Sequence, residues 1–240
     1  MIRNKKFRKL FRFLLLFFFI LIITKVDYRI EQPQPWHSHD DASYFFHAYT
    51  IGLDFDLDYT NQISNDNNFY NENKSNPVPT HPIGAGLLAS PFVFFGNFFG
   101  NFFFTEKSSL QNFVYFAYSI SSIYYFFLTV VLIKKSLYNF GVKNISYIYI
   151  FYLLLGSGLG YYAFERFSMT AVYESFGLAV IIYLCSRSNK KSYFFAGTLS
   201  VIFLSIRWVN FYLLIIPFIC NYLFKNSKNT NTQIFKNAYL

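Results

Sequence analysis

The sequence predicts an all-α integral membrane protein with about six transmembrane helices and a large first extracytoplasmic loop that contains short interfacial helices. Of its 240 residues, 54% are hydrophobic and 24% aromatic, whereas only 14% are charged, which is unusual for a soluble domain. The apolar residues gather in runs that can cross a hydrocarbon core of about 30 Å. We therefore expect the chain to fold in lipid as a single transmembrane domain.

Six apolar segments define the expected topology. The first resembles a signal peptide, but residues 25–28 offer no small-residue cleavage site, so we expect it to remain as a helix. Pro217 is expected to kink the sixth. The expected spans are 13–26, 111–133, 144–164, 171–186, 192–206 and 208–224, between cytoplasmic tails at 1–12 and 225–240.

Charged residues separate across these spans. Of the 21 Lys and Arg residues, 15 fall on the inner side, six within 1–12 and nine at or after Lys134. All 12 Asp and Glu residues fall on the outer side or at outer helix ends. This pattern predicts a cytoplasmic N-terminus, and it explains the net charge of +9 without a nucleic-acid partner. The excess of Phe, Tyr, Ile, Asn and Lys is typical of an AT-rich genome and favours a bacterial inner membrane.

The expected outer loop covers residues 27–110. Its last part, 83–104, is apolar enough to cross a membrane but is interrupted by glycines, asparagines and Pro91. Counting it as a span would place Lys134, Lys135 and Lys143 outside. We therefore expect an interfacial or re-entrant helix whose irregular backbone is packed against its neighbours.

Candidate chemistry is concentrated in residues 27–81, which hold all four histidines and nine of the twelve acidic residues. Within this stretch, the spacing of residues 44–48 predicts a helix that begins at Asp40 and Asp41. Two interpretations stay open. Either acid could cap the helix N-terminus, or one carboxylate of the pair could abstract a proton from an acceptor hydroxyl.

Metal binding is an alternative for the same loop. The spacing is not that of an ordered site, so His37 and His39 are only weak candidate ligands for a divalent metal. The acidic stretch at 54–58 lacks the Gly and the closing Glu of a calcium loop and predicts a strand or turn with solvated acids. Ligands for the weak metal site would come from His37, His39, Asp40, Asp41 and His81.

Short acidic, aromatic and His-Pro motifs follow one another along the chain. They are Asp40-Asp41-Ala-Ser-Tyr44, the His81-Pro82 entry to an apolar helix, residues 161–170 before span four, and residues 206–210 after span five. In order and position they resemble the N-terminal half of GT-C glycosyltransferases. This multi-span class includes the protein O-mannosyltransferases and the lipid A aminoarabinose transferases.

The resemblance implies that a sugar is transferred from a polyprenyl-phosphate donor to a lipid, surface-glycan or protein acceptor on the extracytoplasmic face, with inversion at the anomeric carbon. Asp40, followed by Asp41, would be the catalytic base. Membrane lipid surrounds the spans. The implied substrate-binding residues are Tyr44, His81, Arg166 and Arg207.

The two arginines also have simpler interpretations. Arg207 lies at the outer end of span five, where a guanidinium can bind the departing phosphate or can merely anchor the helix end at the interface. Arg166 is expected to pair with Glu165 or to line the same cavity, and simple pairing is favoured.

The chain also departs from the family pattern. Relatives often carry Ser-His or Thr-His after the Met, where this chain has Met169-Thr170-Ala171. Complete members have more spans, so we expect a truncated or split enzyme. The alternatives are a non-catalytic membrane subunit or inactive fragment of such an enzyme, and a transporter fragment. The transporter ranks last because few ionisable residues lie inside the expected spans.

Overall fold

The structure is a computed structural model that describes residues 39–60 and 79–227, together with Arg12, Phe13, Leu16 and Ile20. Most of the expected first span, the loop at 61–78 and the tail after residue 227 lie outside these residues. The described part of the chain is all-helical and contains no strand. The predicted fold class is therefore confirmed at this level.

The α-helices of the described residues are numbered here in chain order. They are α1 (His39–Tyr49), α2 (Gly84–Phe103), α3 (Lys107–Asn139), α4 (Tyr147–Leu154), α5 (Gly160–Phe164), α6 (Ala171–Ser186), α7 (Lys190–Leu204) and α8 (Ile216–Ser227). A π-helical turn at Thr50–Asp54 follows α1, and a second at Leu155–Leu159 joins α4 to α5. A 3-10 helix at Trp208–Leu214 precedes α8.

Three helices of the described residues are long and apolar enough to cross a membrane: Gly84–Phe103, Lys107–Asn139 and the continuous run Tyr147–Phe164. The second and third contain or overlap the expected spans 111–133 and 144–164. Helix α3 is longer than expected because polar turns extend the apolar run at both ends. In the third run, Gly158 has a φ of 84°, which a residue with a side chain adopts at a cost.

Helix α2 differs from the expectation of an irregular backbone. Its 20 residues form one uninterrupted helix through Pro91. Proline has no N–H to donate to the carbonyl of Leu87 one turn earlier. The hydroxyl of Ser90 donates to that carbonyl instead, at 2.9 Å. This bond satisfies the carbonyl that proline frees, so the glycines and the proline do not break the helix.

The shorter apolar helices match their expected spans to different degrees. Helix α6 has the predicted bounds, 171–186, and α7 is displaced by two residues from the expected 192–206. The expected sixth span, 208–224, is not one kinked helix. It is divided at Ile215 into a 3-10 helix and α8, with Pro217 as the second residue of α8, where a missing N–H costs little.

Helix α3 is the axis of the bundle, and its 33 residues make it about 50 Å long. Helix α2 packs antiparallel along its N-terminal half. Near the start of α2, the Tyr125 hydroxyl donates to the carbonyl of Leu88 at 2.9 Å. Further along, a Cβ on Gly96 would lie 2.5 Å from the Cβ of Ala117, so the two backbones are in close contact there.

Helix α6 packs along the other half of α3, in the same direction. The hydroxyls of Tyr173 and Ser121 are 2.7 Å apart near the middle of α3, and Asn139 Nδ2 donates to Ser186 Oγ at 2.9 Å where both helices end. Helices α2 and α6 therefore occupy opposite halves of α3. The candidate site lies where these halves meet.

Candidate functional site

Helix α1 brings the predicted acidic pair into the bundle. Asp40 and Asp41 lie in its first turn, where the helix dipole favours a negative charge, as residues of the helix and not as its N-cap. The side chain of Asp40 is 48% exposed, whereas that of Asp41 is fully buried. The two carboxylates therefore have different environments, and Asp40 is the accessible one.

Asp41 anchors α1 to the segment between α5 and α6. Its Oδ2 lies 3.4 Å from both Nε and Nη2 of Arg166. Its backbone carbonyl accepts a hydrogen bond from Ser168 Oγ at 2.9 Å, and that hydroxyl is 2.8 Å from the hydroxyl of Tyr118 on α3. Arg166 thus pairs with Asp41, 125 residues away, a partner that the sequence analysis did not predict.

Asp40, from the acidic motif, lies beside His81, from the His-Pro motif. Asp40 Oδ1 is 3.5 Å from His81 Nε2, and the other ring nitrogen of His81 lies 3.0 Å from Thr80 Oγ1. The ring of Tyr44 meets the His81 ring edge-on, with centroids 5.1 Å apart. Three residues selected from the sequence, Asp40, Tyr44 and His81, are therefore in contact.

Tyr44 also connects this group to Arg207. Its hydroxyl forms a hydrogen bond with Thr170, and burial raises the pKa of Tyr44 to about 12, although the nearby Arg207 lowers it. The phenol is therefore neutral near pH 7 and can donate a hydrogen bond. Thr170 in turn donates to Glu174 Oε1, and Arg207 Nη1 lies 3.8 Å from the same oxygen.

Glu174 is the site residue that the sequence analysis missed. It lies in the first turn of α6, inside the expected span 171–186, and its side chain is largely buried. A carboxylate within an apolar run is costly unless it has partners. This placement was the available signal for Glu174. Its partners are Thr170 and Arg207, so Arg207 faces the site.

His47 forms a second buried connection next to the site, between α1 and the segments that carry Tyr59 and His81. Its side chain is buried, with Nδ1 2.7 Å from the hydroxyl of Tyr59 and Nε2 2.8 Å from the backbone carbonyl of His81. Burial lowers the pKa of His47 from its ordinary value, although the bond to His81 raises it. A Cβ on Gly86 would lie 2.3 Å from the Cβ of His47, so α2 packs directly on this residue.

The metal hypothesis gains no cluster from the described residues, in which no group of three or more His, Cys, Asp or Glu side chains could hold an ion. His37 and the side chain of His39 lie outside the part of the chain that the structure describes. The stretch Asp54–Asp58 is exposed, and Asp56 and Asp58 accept hydrogen bonds from residues two positions later. This is the predicted turn with solvated acids.

The site therefore combines accessible charged and polar groups with one ion pair, Asp41–Arg166, whose carboxylate is buried. Asp40 contacts His81, Arg207 pairs with Glu174, and Tyr44 interacts with members of both pairs. The sequence-predicted residues in the described part of the chain come together, with Arg166 paired to Asp41.

No protein-family model matches the chain, and comparisons with curated proteins and with solved structures gave no match.

Proposed function

We propose that this chain is a membrane glycosyltransferase of the GT-C type, which transfers a sugar from a polyprenyl-phosphate donor to a lipid, surface-glycan or protein acceptor. The observation that carries this proposal is that an accessible carboxylate, Asp40, and a cation, Arg207, both lie close enough to one buried tyrosine, Tyr44, to influence its charge. Transfer from a phosphate leaving group needs a base on one side of the reacting carbon and positive charge on the other.

In this mechanism the acceptor hydroxyl lies against Asp40. Its oxygen attacks the anomeric carbon while Asp40 takes the proton, and the bond from that carbon to the phosphate oxygen breaks. The electron pair leaves with the polyprenyl phosphate, and inversion results from direct displacement. The side chain of Arg207 is 57% exposed and can therefore reach that phosphate. A guanidinium can donate hydrogen bonds to two phosphate oxygens at once.

Tyr44 and His81 complete the proposed site. The neutral Tyr44 hydroxyl, whose proton is donated to Thr170, can accept a hydrogen bond from a sugar hydroxyl, and His81 limits the directions from which an acceptor reaches Asp40. Catalysis would then come mainly from positioning and deprotonation. A divalent cation would add charge stabilisation without changing the parts assigned to Asp40 and Arg207.

We also propose the expected membrane placement: six spans in a bacterial inner membrane, with the N-terminus in the cytoplasm. Lys134 and Lys135 lie near the end of α3 where α6 also ends, and Lys135 Nζ is 5.8 Å from the centre of the Tyr183 ring. Arg187 and Lys190 follow at the same end. The acidic site lies at the opposite end of α6, as the positive-inside rule favours.

Sugar transfer in isolated membranes tests the enzymatic proposal. Radiolabelled polyprenyl-phosphate hexoses and pentoses are supplied, and transfer to lipid and surface glycan is measured. Asp40→Asn is expected to lower the rate by about 10²- to 10⁴-fold, the usual contribution of a general base. The matched control is Asp56→Asn, which changes an exposed carboxylate of the 54–58 turn and should leave transfer unchanged.

Two results would overturn the proposal. Transfer that survives Asp40→Asn at the native rate would remove Asp40 as the base. A native chain that inserts into membranes but transfers none of the supplied sugars would favour the non-catalytic subunit or inactive fragment.

A further inference from the structure

His47 joins three parts of the molecule beneath the accessible carboxylate. It lies on α1, its Nδ1 contacts Tyr59 in the turn that follows, and its Nε2 contacts the backbone of His81 before α2. Only 4% of the residue is exposed. Neither the acidic motif nor the His-Pro motif gives this histidine a part in the reaction, yet it contacts segments that carry both.

The partners of His47 fix its tautomer. The His81 carbonyl can only accept a hydrogen bond, so Nε2 of His47 must carry a proton and donate it. Because burial keeps the ring neutral, Nδ1 is then unprotonated and accepts from the Tyr59 hydroxyl. One defined form of the ring thus satisfies both bonds.

His81 is held by this bond while its ring extends to the site. The backbone carbonyl is fixed by His47, Thr80 contacts Nδ1 of the His81 ring, and Nε2 faces Asp40 at 3.5 Å. Because Pro82 follows, the backbone at His81 is also restricted. Ser43 of α1 also contacts Thr80, with their hydroxyls 3.4 Å apart. Loss of the His47 bond would remove the hydrogen bond made directly to the His81 backbone from α1.

We propose that His47 is a positioning residue, which, together with Tyr59, holds His81 at the distance from Asp40 that sugar transfer requires. The catalytic consequence rests on the proposed function, whereas the placement of His81 does not. His47 touches no substrate in this proposal and acts only through the His81 backbone. A displacement of about 1 Å at a reacting group can cost about 100-fold in rate.

Two substitutions separate positioning from simple packing. His47→Gln keeps a donor for the His81 carbonyl and an acceptor for Tyr59, whereas His47→Leu keeps the volume and loses both. Each is made with and without Asp40→Asn. The chain has four histidines, so histidine-selective ¹³C NMR of the detergent-solubilised protein shows four ring signals, which are assigned by replacing each histidine in turn.

The signal of the His81 ring reports its contact with Asp40. We expect Asp40→Asn to shift this signal in the native and His47→Gln backgrounds, and to shift it by less than half as much with His47→Leu. We expect His47→Leu to lower kcat by about 10- to 100-fold with the donor KM unchanged, and His47→Gln to restore most of it.

An equal shift in the His47→Leu background would overturn the proposal, because His81 would then keep its place without His47. A rise in KM with unchanged kcat would also overturn it, since that result would mean a loss of binding alone. If the native chain transfers no sugar, the proposed function fails, and the NMR comparison alone decides whether His47 positions His81.

Discussion

Removal of the Arg166 guanidinium is expected to destabilise the fold much more than removal of its partner carboxylate. Asp41 is fully buried, whereas the side chain of Arg166 is 29% exposed. After Arg166→Met the carboxylate has lost its counter-charge in a low-dielectric site. After Asp41→Asn the guanidinium can still reach water, and the new amide oxygen can accept a hydrogen bond from it.

The geometry sets the expected magnitudes. At 3.4 Å and an effective dielectric constant of about 20, the attraction within the pair is about 5 kcal/mol before desolvation is subtracted. Breaking a buried pair from one side typically costs about 3–5 kcal/mol, because a buried charge is left alone. We expect about that loss in unfolding free energy for Arg166→Met, and about 1–2 kcal/mol for Asp41→Asn.

A buried thiol provides the assay. Cys185 is buried, so a thiol-reactive fluorophore should label it only after unfolding, and Cys220→Ala removes the more accessible thiol. Unfolding of the purified protein is followed by labelling as denaturing detergent is increased. The control is Arg207→Met, which breaks a 3.8 Å pair on a 57% exposed side chain and should cost less than about 1 kcal/mol.

The double variant decides between electrostatics and packing. If the buried charge causes the loss, Asp41→Asn combined with Arg166→Met should be more stable than Arg166→Met alone. The reasoning would be refuted if the double variant were no more stable, or if Asp41→Asn alone cost as much as Arg166→Met at pH 8.

Two further predictions concern pH and membrane orientation. Because burial lowers the pKa of His47 below 6.5, the unfolded chain binds the proton more readily. Stability should therefore fall as pH drops below about 6.5, by at most about 1.4 kcal/mol per pH unit, and His47→Gln should reduce that slope in thermal unfolding. In a chain with Cys185→Ala and Cys220→Ala, a membrane-impermeant thiol reagent should label Leu57→Cys in intact cells and Lys190→Cys only after permeabilisation. The opposite pattern would invert the proposed topology.

Hydropathy predicted the helices whose ends coincide with changes in polarity. Helix α6 runs from Ala171 to Ser186, as expected, because polar or charged residues flank its apolar run. The division of 208–224 could not be predicted in this way, since α-helical and 3-10 segments of equal apolarity look alike in sequence. The continuity of α2 depends on one hydroxyl, Ser90, which replaces the donor that Pro91 lacks.

The candidate site was predicted in its composition more than in its pairings. The motifs selected Asp40, Tyr44 and His81, which lie in contact. They could not show that Asp41 pairs with Arg166, because 125 residues separate the two and adjacency in sequence favoured Glu165. Residues far apart in the chain acquire partners only through packing, which periodicity does not encode.

Asp40 and Arg207 are attached to the bundle unequally, which has a consequence for the range of sugars in the proposed transfer. The turn of α1 that carries Asp40 is fixed by the neighbouring Asp41, which contacts Arg166 and Ser168. Arg207 follows the end of α7 with an extended backbone, and a 3-10 helix, which has poorer hydrogen-bond geometry than an α-helix, comes next.

The backbone around Arg207 is fixed on both sides, because Ser205 O accepts from Gly84 N–H at 2.8 Å and Leu213 O accepts from Ser200 Oγ at 2.9 Å. We therefore expect bulkier sugars or acceptors to be accommodated by rearrangement of the exposed residues 207–209 between these bonds. Variants that change the sugar preference of the proposed transfer should accumulate there, while Asp40, the proposed base, keeps its position.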